Sequence, residues 1–118
     1  MKEAQRIVYD FLERRPIMRE HDTLETIAEK MKGEIDELLA EITWGEREPT
    51  PEEIKKVSSE LADVVIYALS MGSLIGVDVE QSVIDKIKIN EERFPDHLFQ
   101  EGDFLKTYLS RKRELREL

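Results

Sequence analysis

The sequence predicts an all-α fold, a bundle of four to five helices whose core is completed by homo-oligomerisation. Apolar residues recur at i, i+3 and i+4 over long segments, which is the helical period. The five glycines and four prolines lie at the edges of these segments, where helices end. No segment alternates apolar and polar residues as a half-buried strand does. At 118 residues the chain is expected to form a single domain, residues 1–118.

The first two helices are predicted from the spacing of apolar residues and from residues that typically start or end a helix. The first covers about residues 2–15 and stops before Pro16, because the residue that precedes a proline disfavours the helical conformation. The second is predicted to begin at Asp22, with Glu25 three residues later completing a capping box. It is expected to end before Gly45.

The third helix, about residues 51–75, has two independent start signals. Thr50 is placed as the N-cap with Glu53 three residues into the helix, and Pro51 occupies the first helical position. From Leu61 onward the helix is apolar around most of its circumference, which predicts that it is covered on several sides. A small domain has few neighbours to do this, so a partner subunit is the expected cover.

Two further helices complete the predicted bundle. One covers about residues 79–93, with Asp78 and Gln81 at its start and Pro95 closing it. The last covers about residues 103–118, and its basic residues lie near the C-terminal end, where the helix dipole favours positive charge.

The composition limits the classes of partner. The chain has 18 Lys plus Arg against 27 Asp plus Glu, a net charge of −9, which argues against a nucleic-acid polymer or an anionic membrane surface. There is no cysteine, so disulfides, thiolate metal sites and thiol nucleophiles are excluded. The start of the chain is charged rather than signal-like, and the longest uncharged stretch, residues 64–77, is too short to span a bilayer. A cytoplasmic location is expected.

The positions of four carboxylates carry most of the functional information. Glu34 and Glu37 are three residues apart on the second predicted helix, and Glu60 and Asp63 repeat the spacing on the third. Each pair therefore shares one helix face, about 4.5 Å apart along the axis. Asp63 is the only charge in the apolar segment from 61 to 77. An unpaired carboxylate there would cost several kcal/mol or take up a proton, and a shared divalent cation would remove that cost.

A second interpretation of these acids stays open. In a chain so rich in Asp and Glu, pairs at i, i+3 arise by chance and usually belong to solvated helix faces. Lys30 and Lys56 are spaced to form weak surface ion pairs with Glu34 and Glu60.

If the acids do bind a metal, their chemistry favours Mg²⁺. Oxygen ligands without nearby His or Cys suit a hard cation, and Mg²⁺ keeps coordination positions for water and phosphate oxygens. A di-iron site of the ferritin type would need Glu three residues before His. Met18 precedes His21 at that spacing and Phe94 precedes His97, so the di-iron interpretation fails.

A polar stripe on the fourth predicted helix complements the acids. Lys86, Asn90 and Arg93 follow one another at i, i+4 and i+7, which places them on one side of the helix. The two cations are suited to bind phosphates, and the amide is suited to bind a sugar or base. The alternative is an ordinary polar surface.

Together these residues resemble the MazG-like all-α nucleoside triphosphate pyrophosphohydrolases. That family carries Glu-Glu-x-x-Glu on one helix, Glu-x-x-Asp on the next, and a Lys…Asn…Arg stretch on a following helix. The matching segments here are Gly33-Glu34-Ile35-Asp36-Glu37, Glu60-Leu61-Ala62-Asp63 and the stretch from Lys86 to Arg93. The resemblance covers residues 22–95 and leaves 96–118 as a C-terminal helical extension.

The resemblance implies Mg²⁺-dependent hydrolysis of (deoxy)nucleoside triphosphates to the monophosphate and pyrophosphate, in a homodimer or a dimer of dimers. It assigns the catalytic Mg²⁺ ligands as Glu34, Glu37, Glu60 and Asp63, and the substrate-binding residues as Lys86, Asn90 and Arg93. Gly33 departs from the pattern, since the family has its first Glu there. This departure keeps a second hypothesis open, a non-catalytic helical homo-oligomerisation protein with a degenerate site.

Overall fold

The computed structural model describes residues 1–117, and every regular element within them is helical. The elements are α1 (Lys2–Glu13), α2 (Pro16–His21), α3 (Leu24–Glu41), α4 (Pro51–Leu74), α5 (Val79–Arg93), a short 3₁₀ helix (Asp96–Leu98) and α6 (Phe104–Glu117). The all-α prediction is confirmed. Leu118, the end of the last predicted helix, lies outside the described residues. The chain divides into two compact units, Met1–Val79 and the segment from Glu80 onward. The single-domain assignment stays a prediction.

The first predicted helix is two helices in the structure. α1 ends at Glu13, and α2 then begins with Pro16 at its first position. The sequence analysis used Pro16 only as a stop signal and therefore missed α2. The same residue starts a helix readily, because its fixed φ suits the first turn and its missing N–H would have no intrahelical partner there.

The N-cap of α3 lies one residue after the predicted one. Thr23, not Asp22, is the N-cap: its hydroxyl accepts the Thr26 N–H at 3.1 Å, and the Thr26 hydroxyl accepts the Thr23 N–H at 2.8 Å. The predicted capping box of Asp22 and Glu25 is therefore wrong. Asp22 instead follows the last residue of α2, and its carboxylate forms an ion pair with Lys30 at 2.7 Å.

Both ends of α4 agree with the sequence. The Thr50 hydroxyl accepts the Glu53 N–H at 3.2 Å, and the Glu53 carboxylate accepts the Thr50 N–H at 2.8 Å. At the other end Gly76 adopts φ +72°, the left-handed conformation that glycine reaches without steric cost. The Val77 N–H then bonds back to the Gly72 carbonyl at 2.8 Å, which satisfies a carbonyl group in the last turn.

The first unit is built on the pairing of α3 with α4, with α1 packed on α4. Ile27 and Leu69 are the only fully buried apolar side chains within residues 1–117. Within one chain the apolar middle of α4 is left partly exposed: Leu61 is 51% exposed and Ile66 is 43% exposed. Cover by a partner subunit stays a prediction.

By length and composition alone, α4 is also a candidate membrane span, and 17% of its most apolar window is buried. This is weak evidence for a membrane location, because α4 carries Glu60 and Asp63 and charged residues are rare inside bilayers.

The second unit contains α5, the 3₁₀ helix and α6. The bounds of α5 match the predicted 79–93, whereas the predicted cap of Asp78 and Gln81 stays a prediction. Asp103 starts α6, since its carboxylate accepts the Lys106 N–H at 2.9 Å. The Arg111 side chain donates to the Arg93 carbonyl and so joins α6 to the end of α5.

Candidate metal centre

The pairing of α3 with α4 brings three of the four predicted carboxylates together. Glu34, Glu37 and Glu60 each offer one oxygen, and these oxygens lie within 4.8 Å of one another. Glu34 and Glu60 are half-buried and Glu37 is exposed. The i, i+3 spacing on α3 and the packing of α4 against it are together enough to produce this carboxylate cluster.

Two oxygens of the carboxylate cluster lack partners. Oε2 of Glu34 and Oε2 of Glu60 are out of contact with solvent, and no group in residues 1–117 forms a hydrogen bond with either. A buried carboxylate oxygen without a hydrogen bond costs free energy that a proton or a cation removes. The two oxygens therefore indicate that the cluster is completed by a positively charged ligand or by protonation.

The pKa of Glu34 also reflects the lack of a positively charged partner in the carboxylate cluster. The Glu60 carboxylate, within hydrogen-bonding reach, contributes most to raising the pKa of Glu34 to about 7. Partial burial and then the negative charges of Glu37 and Asp63 raise this pKa further. Asp63 is thus close enough to act on Glu34, although its oxygens are not among the three that converge.

The two lysines spaced to pair with these acids form no ion pair with them within residues 1–117. Lys30 pairs with Asp22 rather than with Glu34, and Lys56 forms no ion pair within the described part of the chain. None of the four predicted ligands pairs with a Lys or Arg in residues 1–117. The predicted ion pairs of Lys30 with Glu34 and of Lys56 with Glu60 are therefore not formed within residues 1–117.

The donor set fits a hard divalent cation. Three carboxylates without His or Cys supply only oxygen ligands, which is the chemistry that Mg²⁺, Mn²⁺ and Ca²⁺ prefer. The unpartnered oxygens of Glu34 and Glu60 are the specific observation behind this fit. The carboxylate cluster can hold a metal ion.

A cavity next to Asp63 is a feature that the sequence analysis missed. It measures about 390 Å³, lies within the first unit and has mostly apolar walls from α1 and α4, including Phe11 and Ile66. Its polar residues are Asp63, Tyr67, Ser70 and the Asp22–Lys30 pair. Nothing in the sequence indicated it, because its walls come from helices whose mutual packing is set only by the tertiary fold.

The predicted substrate-binding residues all lie on α5, in the second unit. Lys86 is exposed, whereas Asn90 and Arg93 are half-buried. The guanidinium carbon of Arg93 lies 5.5 Å from the centre of the Phe94 ring. The structure thus confirms that the three residues share one helix, and their role in binding a nucleotide stays a prediction.

Comparison with known proteins finds relatives but no matching family model. The chain is 38% identical over 69 residues to dCTP pyrophosphatase 1 of Homo sapiens, a match that covers 56% of this chain and 41% of the relative. The mouse protein of that name is 36% identical over 72 residues, covering 56% of this chain and 42% of the relative. The rat protein is 35% identical over 72 residues with the same coverage. The matched part thus spans less than half the length of each relative.

These relatives agree in part with the resemblance found in the sequence. Their name describes a pyrophosphatase that acts on a nucleoside triphosphate, which is the class of activity that the MazG-like motifs implied. The agreement extends to the general activity of proteins similar to this chain, at partial coverage.

Proposed function

We propose that this chain hydrolyses (deoxy)nucleoside triphosphates to the monophosphate and pyrophosphate, with Mg²⁺ bound by Glu34, Glu37, Glu60 and Asp63. The observation that carries the proposal is the pair of buried, unpartnered oxygens on Glu34 and Glu60 within a cluster of acids. The similarity to proteins named dCTP pyrophosphatase 1 supports the choice of substrate class.

The chemistry of the proposed site follows from its charges. Without a cation the clustered carboxylates repel a triphosphate and each other. The Glu60 carboxylate contributes most to raising the pKa of Glu34 to about 7, followed by partial burial and then by the negative charge of Glu37. Bound Mg²⁺ would supply charge neutralisation for the phosphates and a more acidic water. The carboxylates of Glu34, Glu37, Glu60 and Asp63 would hold the cation in their deprotonated forms, so its affinity should rise with pH.

We place the nucleoside in the 390 Å³ cavity that Asp63 borders. Its volume lies in the range of small-molecule sites, roughly 300–1,000 Å³, and its walls are mainly apolar with a few polar groups. Tyr67 and Lys30 are the groups that would select a base or sugar by hydrogen bonding. Lys86, Asn90 and Arg93 are proposed to bind the phosphates and sugar, as the resemblance implies.

We also propose that the protein works as a homo-oligomer, a dimer or a dimer of dimers. Large apolar side chains stay exposed along α4, among them Leu61, Val65 and Ile66. With so few buried apolar residues, one chain has little hydrophobic stabilisation of its own, and association would bury more.

The test is pyrophosphate release from a panel of nucleoside triphosphates with Mg²⁺, with dCTP included because the relatives are named for it. Product is expected, and Asp63→Asn should abolish it while the helical circular dichroism spectrum persists. Asp36→Asn is the matched control, since Asp36 is an exposed acid on α3 outside the cluster. An active Asp63→Asn variant, or no product from any nucleotide, would refute the proposal.

The second candidate is a non-catalytic homo-oligomerisation protein with a degenerate site. The exposed apolar surface and Gly33 favour it. A Cβ atom built on Gly33 meets no neighbouring residue within 4 Å, apart from the helix's own backbone, so Gly33→Glu tests whether the family's first glutamate restores activity. This candidate predicts an intact oligomer, no product from any nucleotide even with Gly33→Glu, and an Asp63→Asn variant that is at least as stable as the parent.

A further inference from the structure

The second unit contains a cavity that the proposed function does not use. It measures about 580 Å³ and is formed by the end of α5, the 3₁₀ helix and the start of α6. Four aromatic side chains line it, Phe94, Phe99, Phe104 and Tyr108. We refer to this feature as the aromatic cavity.

The four rings of the aromatic cavity contact one another in a closed circuit. Tyr108 stacks on Phe94 with centroids 5.2 Å apart and on Phe104 with centroids 5.5 Å apart. Phe99 lies against Phe94 at 6.0 Å and against Phe104 at 6.3 Å. Phe104 nevertheless remains 67% exposed, so the cluster leaves aromatic surface available to a ligand.

The charges at the aromatic cavity are all negative. Asp96, Glu101 and Asp103 line it, and no Lys or Arg is among the described residues that do so. These three carboxylates form no ion pair within residues 1–117. The combination of aromatic surface and unpaired negative charge favours cations and repels phosphates, so a nucleotide is a poor candidate ligand.

The same rings already attract cations of the chain itself. The Arg93 guanidinium lies 5.5 Å from the centre of the Phe94 ring, and the Lys112 ammonium lies 4.9 Å from that of Tyr108. Neither cation lines the aromatic cavity. The ring system is therefore able to bind positive charge, while the cavity side of the cluster is left without any from the described residues.

We propose that the aromatic cavity binds a small organic cation with an alkylated ammonium group. The positive group would lie against the aromatic rings, where the quadrupole attracts it, with the carboxylates of Asp96, Glu101 and Asp103 supplying the opposite charge. The volume of about 580 Å³ lies in the range of small-molecule sites, roughly 300–1,000 Å³. The lining of the aromatic cavity includes none of the residues proposed for nucleotide hydrolysis.

The experiment titrates the full chain with choline and follows backbone amide resonances by NMR. The matched probe is 3,3-dimethyl-1-butanol, which has the shape of choline without its charge. Saturable shifts are expected near residues 94–108, with choline bound about tenfold or more tightly than the alcohol.

Two variants with matched controls assign the binding to the cavity. Glu101→Gln removes one charge and Phe104→Ala removes the exposed ring, and each should raise the dissociation constant for choline about fivefold or more. The controls are Glu117→Gln and Leu109→Ala, exposed side chains on α6 that do not line the cavity. Both controls should bind choline as the parent does.

Three outcomes would overturn the proposal. Absence of saturation up to about 50 mM choline would mean no useful affinity. Equal affinity for choline and the alcohol would make the cavity a purely apolar site. Resonances near 94–108 that respond to protein dilution, and not to choline, would show that a second copy of the chain fills the cavity.

Discussion

Two glutamates on α4, about two helical turns apart, have opposite environments. Glu53 accepts two hydrogen bonds from the Arg47 guanidinium, at 2.9 and 3.0 Å, and one from the Thr50 N–H. Arg47 and then Thr50 lower the pKa of Glu53 to about 2. Glu60 has a buried oxygen with no partner, and its proximity helps to raise the pKa of Glu34 to about 7.

The environments of Glu53 and Glu60 show that the same side chain can serve two different purposes in one helix. The Glu53 carboxylate accepts hydrogen bonds from Arg47 and Thr50 of its own chain, so it stabilises the start of α4. Glu60 and Glu34 hold like charges together without a donor, which costs stability in the metal-free protein and leaves them ready to bind a cation.

The largest expected effect is on catalysis. Glu60→Gln removes a charged oxygen from the carboxylate cluster and should lower kcat for pyrophosphate release about a hundredfold or more, since even outer-shell changes at metal sites cost ten- to a hundredfold. Glu53→Gln should leave kcat within about twofold, because Glu53 lies outside the cluster. Rates are compared at a temperature where circular dichroism shows both variants folded. Equal losses of kcat in the two variants would contradict a special role for Glu60.

The next effect is on thermal unfolding with and without Mg²⁺. A cation that binds only the folded protein stabilises it by about 2.7 kcal/mol at a hundred times its dissociation constant. For a chain of this size that is a rise in Tm of about 10 °C. The rise should persist in Glu53→Gln and disappear in Glu60→Gln. If the parent protein does not respond to Mg²⁺, the metal centre is refuted.

In the metal-free protein, Glu34 and Glu53 should make the free energy of unfolding depend on pH in opposite directions. The pKa of Glu34 rises from 4.5 to about 7 on folding, so its contribution to stability is complete below pH 4.5 and is lost as the pH rises through 7. The pKa of Glu53 falls from 4.5 to about 2, so its contribution is present above pH 4.5 and is lost as the pH falls towards 2.

Denaturant unfolding in EDTA at a series of pH values measures both trends. Glu34→Gln should flatten the decline in the free energy of unfolding between pH 4.5 and 7, and leave the acid side unchanged. Glu53→Gln should flatten the decline between pH 4.5 and 2. A Glu34→Gln variant that keeps the parent's decline towards neutral pH would show that Glu34 does not cause it.

A smaller effect concerns the cap that holds Glu53 in place. Thr50→Ala removes the hydroxyl that accepts the Glu53 N–H and should lower the free energy of unfolding by about 1 kcal/mol. Tm should fall by about 4 °C, while kcat stays unchanged. Thr50→Ser retains the hydroxyl and should restore most of the loss. A Thr50→Ala variant as stable as the parent would mean that this cap contributes nothing.

The smallest expected effect is at Gly33, beside the carboxylate cluster in sequence. Gly33→Ala adds a methyl group that no atom approaches within 4 Å apart from those of its chain neighbours and its own helix backbone. It should stabilise α3 by about 0.5 kcal/mol, because alanine favours the helix. Chemical denaturation measures the gain. Pyrophosphate release should not change, since no carboxylate is altered. A loss of activity in Gly33→Ala would show that the site depends on backbone freedom at Gly33.

The ends of a helix could be predicted from the sequence where only one residue nearby suited the capping position. Thr50, Pro51 and Glu53 act over three residues, and Gly76 acts over the last turn of α4, so both ends of that helix follow from short-range chemistry. The start of α3 was misplaced because Asp22 and Thr23 are adjacent and both suit an N-cap. The choice of Thr23 over Asp22 as the N-cap depends on the Asp22–Lys30 ion pair and on the turn after α2. Both of these involve more residues than a capping pattern does.

The candidate site divides in the same way. The helical period alone places Glu34 with Glu37 and Glu60 with Asp63, so the acids that share a helix face could be predicted. The packing of the helices was needed to show that Glu34, Glu37 and Glu60 converge, that Lys30 pairs with Asp22, and that a cavity lies beside Asp63. The physical reason is range: periodicity acts along one helix, whereas desolvation and charge repulsion depend on how helices distant in sequence pack together.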